Sequence, residues 1–121
     1  MRQLSILVVE DEPLIAMLLC DILVEMGHSV CALESTETGA VAAALQHRPE
    51  MMIVDDGLLQ GSGISAIAQI LHSGFVPHVL VSGDSGARER LHPRTVTLRK
   101  PFREIDLVDA IQRALGGADN V

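Results

Sequence analysis

Acidic side chains stand directly after two apolar stretches of the chain. Residues 51–54 are Met-Met-Ile-Val and are followed by Asp55, while Glu10 and Asp11 follow the apolar residues 4–9. Carboxylate oxygens are the ligands that hard divalent cations prefer, and an aspartate can also act as a nucleophile. We therefore start from the hypothesis that Asp55 is a reactive group, served by the acids that follow residues 4–9.

Two more polar side chains follow apolar stretches further along the chain. Ser82 follows residues 79–81, and Lys100 comes just after residues 95–98. A serine hydroxyl can hold a phosphoryl oxygen, and a lysine supplies a compact positive charge. A nucleophilic carboxylate, a metal cation, a lysine and a hydroxyl around one point are the parts of a phosphoryl-transfer site. The chain has the side chains for such a site, provided that its fold brings them together.

The positions of these groups depend on the strands and helices that carry them. Short apolar runs predict strands, whereas apolar residues at helical spacing, caps and glycine stops predict helices. The predicted strands cover residues 4–9, 29–33, 51–54, 79–81 and 95–98. The predicted helices begin at Pro13, after Ser35 or Thr36, near Ile64, at Ala87, and at Arg103 or Glu104. Alternation of strand and helix indicates an α/β domain, with helices on both faces of a parallel sheet and right-handed crossovers.

Apolar side chains recur at helical spacing in the first and last helices, and we expect them to face the core. In the first helix these are Leu14, Ile15, Leu18, Leu19, Ile22, Leu23 and Met26. In the last helix they are Ile105, Leu107, Val108, Ile111, Ala114 and Leu115. Residues 84–94 have almost no apolar stripe, so we expect a mobile segment with a disordered or short fourth helix at 87–91.

The order of the strands decides whether the acids meet. In a doubly wound five-stranded sheet of order 2-1-3-4-5, strands one and three are neighbours and ligands bind at their carboxyl ends. This order places Glu10, Asp11 and Asp55 in one pocket. Two carboxylates about 4 Å apart repel by about 4 kcal/mol at an effective dielectric constant of about 20. The arrangement therefore predicts a bound Mg²⁺, or Mn²⁺ in its place, with oxygen ligands.

Composition limits the partners and the compartment. The chain has 121 residues, enough for one domain, with 48% hydrophobic residues, 2% aromatic residues and a net charge of -7. This charge and the scattered basic residues argue against a nucleic-acid partner. No apolar run approaches the roughly 20 residues of a membrane span and no signal peptide fits, so we expect a cytoplasmic domain without membrane insertion. Cys20 and Cys31 fit no metal or redox spacing and are expected to be small core residues.

Together, these motifs resemble the receiver domain of two-component response regulators. The resemblance covers nearly the whole chain and rests on residues 6–12, Asp55 with Gly63 eight residues later, Ser82-Gly83 and Lys100-Pro101-Phe102. It implies a flavodoxin-like (CheY-like) fold and a single receiver domain over residues 1–121, with a frayed tail.

The resemblance also implies a role for each acid. Asp55 would be the phosphoacceptor, taking a phosphoryl group from a phosphohistidine of a sensor histidine kinase or a phosphotransfer protein. Glu10, Asp11, Asp55 and the backbone carbonyl of Gly57 would bind Mg²⁺. The protein would be a signalling domain rather than an enzyme, and would catalyse only its own phosphorylation and dephosphorylation.

By the same resemblance, Ser82 and Lys100 would contact the phosphoryl group, and the peptide bond between Lys100 and Pro101 is often cis in the family. The first helix and the loop after Lys100 would dock the kinase. Output would pass by protein contact to a downstream protein, through residues 84–94 and the adjoining face of the fourth and fifth strands. Charge added in the pocket would draw Ser82 inward and so bias this surface.

The chain departs from the common receiver pattern in three places. Thr97 stands where an aromatic residue is usual, three residues before Lys100, so switching by an inward aromatic ring is not expected. Leu59 stands where proline is common, and the segment from Ser82 to Lys100 is short. In this shortened context the fourth strand resembles that of a stand-alone alphaproteobacterial subclass, where it ends in Phe-Ala-Thr-Gly and the partners are atypical histidine kinases.

Alternative interpretations stay open. Gly57 and Asp84, each two residues past a site residue, are candidates for tuning the phosphoryl lifetime, although Asp84 fits equally well as a solvated loop acid. An aspartate-nucleophile phosphatase of the haloacid dehalogenase type would need an acid where Gly57 stands. A flavodoxin-like cofactor carrier would want a hydroxyl- and glycine-rich loop where Glu10 and Asp11 stand. A receiver used only as an unphosphorylated docking module would have no need of these acids.

Overall fold

Five parallel strands form one sheet, and helices pack on both of its faces. The structure, a computed structural model, describes residues 2–83 and 91–116. Its strands are β1 (Ser5–Val9), β2 (Ser29–Glu34), β3 (Met51–Asp55), β4 (His78–Ser82) and β5 (Val96–Arg99). Its helices are α1 (Pro13–Glu25), α2 (Glu37–His47), α3 (Gly63–Leu71) and α4 (Glu104–Ala114). The strand order is β2-β1-β3-β4-β5, which confirms the predicted doubly wound, flavodoxin-like fold.

The register of the strands aligns their carboxyl ends. In the parallel pairs, Val9 of β1 lies beside Val54 of β3, and Asp55 lies beside Val81 of β4. Glu10 and Asp55 therefore occupy equivalent steps at the ends of neighbouring strands. All residues of β3 are buried, as expected for a central strand of a parallel sheet with helices on both faces.

Alternate residues of each strand face opposite layers of helix. On β3, Ile53 packs in a cluster with α1 and α4, whereas Met52 and Val54 pack in a cluster with α2 and α3. These clusters are mainly aliphatic, and burying one such side chain fully stabilises the fold by about 1.5–3 kcal/mol. Cys20 and Cys31 are partly buried, one against each cluster. The central strands are thus held from both sides, which fixes the places where they end.

The buried faces of α1 and α4 are narrower than predicted. The prediction that Leu14, Leu18 and Ile105 face the core is wrong, because their exposed fractions are 80%, 53% and 62%. The prediction is confirmed for the side of α1 that carries Leu19 and the side of α4 that carries Leu107, which cover the sheet. Successive helical residues are about 100° apart, so the apolar neighbours of these positions point away from the sheet.

Some predicted features lie outside the described residues. They include Asp84, all of the short helix at 87–91 except Leu91, and the expected frayed tail at 118–121. In the part of the chain that the structure describes, no helix has the length and apolar character needed to cross a membrane.

Candidate functional site

The ends of β1 and β3 bring three acidic side chains together. One carboxylate oxygen from each of Glu10, Asp11 and Asp55 lies within 4.8 Å of those of the other two. Glu10 and Asp55 are each only 3% exposed, whereas Asp11 is partly exposed. The cluster therefore has two buried members and one member facing solvent, at the carboxyl edge where the sheet order predicts a pocket.

Glu10 has the least complete hydrogen bonding of the buried members of this cluster. Its Oε2 accepts a hydrogen bond from the backbone N–H of Glu12 at 3.1 Å, but within the described residues its Oε1 has no hydrogen-bond partner. Burial, together with the negative charge of Asp55, raises the pKa of Glu10 to about 7, although the hydrogen bond from the Glu12 backbone acts in the opposite direction. A buried carboxylate oxygen without a donor, close to two other acids, is a fitting ligand for a hard divalent cation.

Lys100 approaches the cluster from the end of β5. Its Nζ donates to Asp55 Oδ2 at 3.0 Å, and the Asp55 side chain is 4% exposed against 31% for that of Lys100. Burial lowers the pKa of Lys100, but the hydrogen bond and the charge of Asp55 outweigh it and raise the pKa above its ordinary value. The ammonium group is therefore charged and aimed at Asp55. The peptide bond between Lys100 and Pro101 is cis.

Ser82 lies at the end of β4, between the ends of β3 and β5. Its residue pairs with Arg99, and its backbone carbonyl accepts a hydrogen bond from the backbone N–H of Lys100 at 3.0 Å. The serine is partly buried. Thr97 is exposed on β5. The strand ends thus place the backbones of Ser82 and Lys100 next to each other.

Gly57 and Gly63, two glycines of the segment after Asp55, both approach Asp55 closely. The backbone N–H of Gly57 donates to Asp55 Oδ1 at 3.4 Å, and a Cβ added at Gly57 would meet no atom within 4 Å. A Cβ at Gly63 would lie 2.2 Å from the backbone oxygen of Asp55, so α3 can begin this close to β3 only with glycine. Asp56 is partly buried and contributes no oxygen to the acid cluster.

One residue that contacts the segment after Asp55 was not identified from the sequence. Glu37, in the first turn of α2, accepts hydrogen bonds from the backbone N–H of Ser62 at 2.9 Å and from Ser65 Oγ at 2.6 Å. It therefore contacts the segment that follows Asp55. The available sequence signal is an acid in a first helical turn, which ordinary capping preference explains equally well.

Comparison with known proteins gives consistent matches. The response regulator receiver domain family matches residues 6–112. The phyllosphere-induced regulator PhyR of Methylorubrum extorquens is 34% identical over 116 residues, which are 92% of this chain and 43% of the relative. The transcriptional regulatory protein PdtaR of Mycobacterium tuberculosis is 32% identical over 114 residues, which are 91% of this chain and 56% of the relative. The chain thus spans about half the length of these curated relatives.

A solved structure agrees with this match. The REC domain of the PhyR response regulator from Erythrobacter litoralis superposes with a TM-score of 0.84 at 32% identity, over 94% of this chain and 91% of that chain.

Proposed function

The chain belongs to the response regulator receiver domain family, and on this premise we propose that Asp55 is its phosphoacceptor. The donor is a phosphohistidine of a sensor histidine kinase or of a phosphotransfer protein. The observation that carries this proposal is the 3.0 Å contact between Lys100 Nζ and Asp55 Oδ2, within a cluster of acids. A buried aspartate flanked by a cation and by metal-type ligands is suited to attack a phosphoryl group.

In the proposed reaction, a carboxylate oxygen of Asp55 attacks the phosphorus atom of phosphohistidine. A P–O bond forms while the P–N bond breaks, and the imidazole leaves with the electron pair of the broken bond and takes up a proton. The product is an aspartyl phosphate. Lys100 supplies positive charge beside the reacting carboxylate, and Ser82 donates a hydrogen bond to a phosphoryl oxygen.

Glu10, Asp11 and Asp55 would hold Mg²⁺, or Mn²⁺, together with the backbone carbonyl of Gly57. The unpartnered Oε1 of Glu10 supports this assignment, because a buried anionic oxygen needs a donor or a cation. When bound, the metal supplies positive charge to the phosphoryl oxygens and offsets the repulsion among the acids.

We place the kinase-docking surface on α1 and the loop after Lys100. The exposed apolar residues of α1 include Leu14, Met17 and Leu18, which are 80%, 60% and 53% exposed. Their spacing of three and four residues puts them on one side of the helix. A contiguous exposed apolar stripe is typical of a protein interaction surface.

Output is proposed to pass by protein contact from the β4–β5 side of the sheet to a downstream protein. Lys100 connects the site to this side, because its ammonium group contacts Asp55 while its backbone N–H binds the Ser82 carbonyl. A phosphoryl group on Asp55 would change the charge that Lys100 faces and so shift the ends of β4 and β5.

Gly57 is proposed to tune the lifetime of the aspartyl phosphate. The open space around it can accommodate a large side chain that shields the phosphoryl group from water. Gly57→Arg should therefore change the rate of autodephosphorylation, measured as loss of the phosphorylated mass with time. Asp84 is a second candidate of this kind and lies outside the described residues.

The test is phosphorylation by acetyl phosphate in the presence of Mg²⁺. Mass spectrometry should show a base-labile gain of one phosphate in the wild type and in the control Asp56→Asn, but not in Asp55→Asn. Loss of the signal on removing Mg²⁺ supports the metal assignment. A mass gain that persists in Asp55→Asn contradicts the proposal, and steady hydrolysis of phosphate esters would instead indicate a phosphatase. Phosphotransfer from candidate kinases then identifies the donor.

A further inference from the structure

Residues 56–62, which we call the β3–α3 loop, form hydrogen bonds with the first turn of α2. The backbone N–H of Glu37 donates to the carbonyl of Gln60 at 2.8 Å. The backbone N–H and the Oγ1 of Thr38 both donate to Gln60 Oε1, each at 3.2 Å. The loop is therefore attached to the neighbouring helix as well as to the strand and helix that it connects.

The side chain of Glu37 makes the most contacts with this region. Its Oε1 accepts from the backbone N–H of Ser62 at 2.9 Å, and its Oε2 accepts from Ser65 Oγ at 2.6 Å and from Gln69 Nε2. A Cβ at Gly61, which has a φ of +76°, would lie 2.2 Å from Glu37 Oε1, so the loop backbone passes close to this carboxylate. Hydrogen bonds to an ionised carboxylate at a helix N-terminus are stronger than neutral ones.

The contacts continue from Ser62 towards the acid cluster. Ser62 forms an isolated antiparallel bridge with Gly57. Next to it, the backbone N–H of Gly63 donates to the carbonyl of Asp56 at 3.0 Å. The position of Gly57 therefore depends on that of Ser62, and Ser62 is held by Glu37.

We propose that Glu37 is a positioning residue for the metal site. By fixing the β3–α3 loop, it sets the place of Gly57, whose carbonyl is assigned to Mg²⁺; the inference therefore rests on the proposed function. Glu37 does not belong to the acid cluster and acts through the loop backbone. Hydrogen bonds from Ser65 and Ser62 lower its pKa, which keeps the carboxylate ionised at neutral pH.

The test compares Glu37→Ala and Glu37→Gln with a matched control, Glu50→Gln. Glu50 is also a carboxylate that accepts a backbone N–H, from Ser5 at 2.9 Å, but it lies at the opposite end of the sheet. Titration calorimetry measures Mg²⁺ affinity, and amide NMR spectra of the metal-free proteins report the environment of Gly57. Glu37→Ala should weaken Mg²⁺ binding roughly tenfold, as loss of an outer-shell partner does. The Mg²⁺ affinity of Glu37→Gln should lie between those of Glu37→Ala and the wild type.

The metal-free Glu37→Ala protein should also show a shifted Gly57 amide signal, whereas Glu50→Gln should leave both the signal and the Mg²⁺ affinity unchanged. Saturating Mg²⁺ should bring phosphorylation of Glu37→Ala close to the wild-type rate, which a general folding defect would not allow. Unchanged Mg²⁺ affinity in a folded Glu37 variant overturns the inference and leaves Glu37 as a helix cap. If Glu37→Ala does not fold, Glu37→Gln decides. Absence of Mg²⁺ binding in the wild type instead contradicts the proposed function.

Discussion

Two buried polar groups lie at opposite ends of the sheet, and their surroundings differ. At the carboxyl end, Glu10 has an oxygen with no hydrogen-bond partner in the described chain and a second acid, Asp55, beside it. At the amino end, His78 is fully buried, yet its Nδ1 lies 2.7 Å from the carbonyl of Val76 and its Nε2 lies 2.7 Å from Thr95 Oγ1. An unsatisfied buried group costs about 1–3 kcal/mol, so most buried groups resemble His78.

The difference separates a region that stabilises the fold from the region proposed to bind Mg²⁺, which we call the binding region. The centroid of the His78 ring lies 5.7 Å from that of the Phe75 ring, and the guanidinium of Arg94 lies 3.8 Å from the Phe75 centroid, so His78 belongs to a well-packed cluster in which both of its nitrogens have partners. His28, also at the amino end, is intermediate, because its Nδ1 accepts from the backbone of Leu4 while its Nε2 has no partner in the described residues. Glu10, by contrast, has an oxygen without a hydrogen-bond partner in the described residues and is also repelled by the charge of Asp55. A bound cation would both coordinate that oxygen and offset the repulsion.

The largest effect is expected from removing Lys100, the cation that contacts Asp55. Lys100→Ala should lower the rate of Asp55 phosphorylation by roughly 100-fold, the loss seen when one preorganised charge-stabilising donor is removed. The measurement is the rate of mass gain with acetyl phosphate at saturating Mg²⁺. Arg99→Ala changes an exposed neighbouring cation and is the control. A wild-type rate in Lys100→Ala would show that the contact with Asp55 serves stability alone.

The second effect concerns the satisfied region. His78→Leu fills the site with an apolar side chain but leaves the Val76 carbonyl and the Thr95 hydroxyl without this partner, so it should lower the unfolding free energy by about 2–3 kcal/mol. Urea unfolding measures this loss, with the exposed His72→Leu as control. Mg²⁺ affinity should not change. Weaker Mg²⁺ binding in His78→Leu would mean that the two ends are coupled.

The third effect should have the opposite sign. Glu10→Gln removes a buried negative charge next to Asp55, so it should raise the unfolding free energy of the metal-free protein by about 1–2 kcal/mol. The same variant should bind Mg²⁺ more weakly, because a neutral amide is a poorer ligand for a hard cation. Glu12→Gln, at an exposed neighbouring acid, should do neither. Destabilisation of metal-free Glu10→Gln would refute the idea that this end is electrostatically strained.

The binding region was more predictable from sequence than the satisfied one, for a physical reason. Strand ends of a parallel sheet meet at one edge, so apolar runs that end in Glu10, Asp55 and Lys100 already imply that these side chains converge. The contacts of His78 depend on tertiary structure, since Thr95 lies 17 residues away in the sequence. Glu37 likewise binds Ser62, 25 residues further on, and no local pattern encodes that pairing.

The buried faces of the helices could not be predicted fully from the sequence, for a different reason. On α1, apolar residues occur nearly all around the helix, so the periodicity could not distinguish the side that packs on the sheet from the side that carries Leu14 and Leu18. The exposed apolar side lies close in sequence to Glu10 and Asp11, which follow β1. Here the failure of the amphipathic pattern is itself informative, because it identifies the surface proposed for docking.

The smallest effect should be a pH dependence that arises at the satisfied end. Burial lowers the pKa of His78 below its ordinary value of 6.5, and the nearby charges of His92 and Arg94 lower it further. The unfolded chain therefore takes up a proton near pH 6.5 that the folded protein resists, and stability is lost as the pH falls through that value. Glu10 has a raised pKa and gives a dependence of opposite sign between pH 4.5 and about 7, so the comparison belongs in the Glu10→Gln background. From pH 7 to pH 6, the unfolding free energy of Glu10→Gln should fall more steeply than that of the double variant that also carries His78→Leu. Equal slopes in the two proteins would show that His78 does not resist protonation.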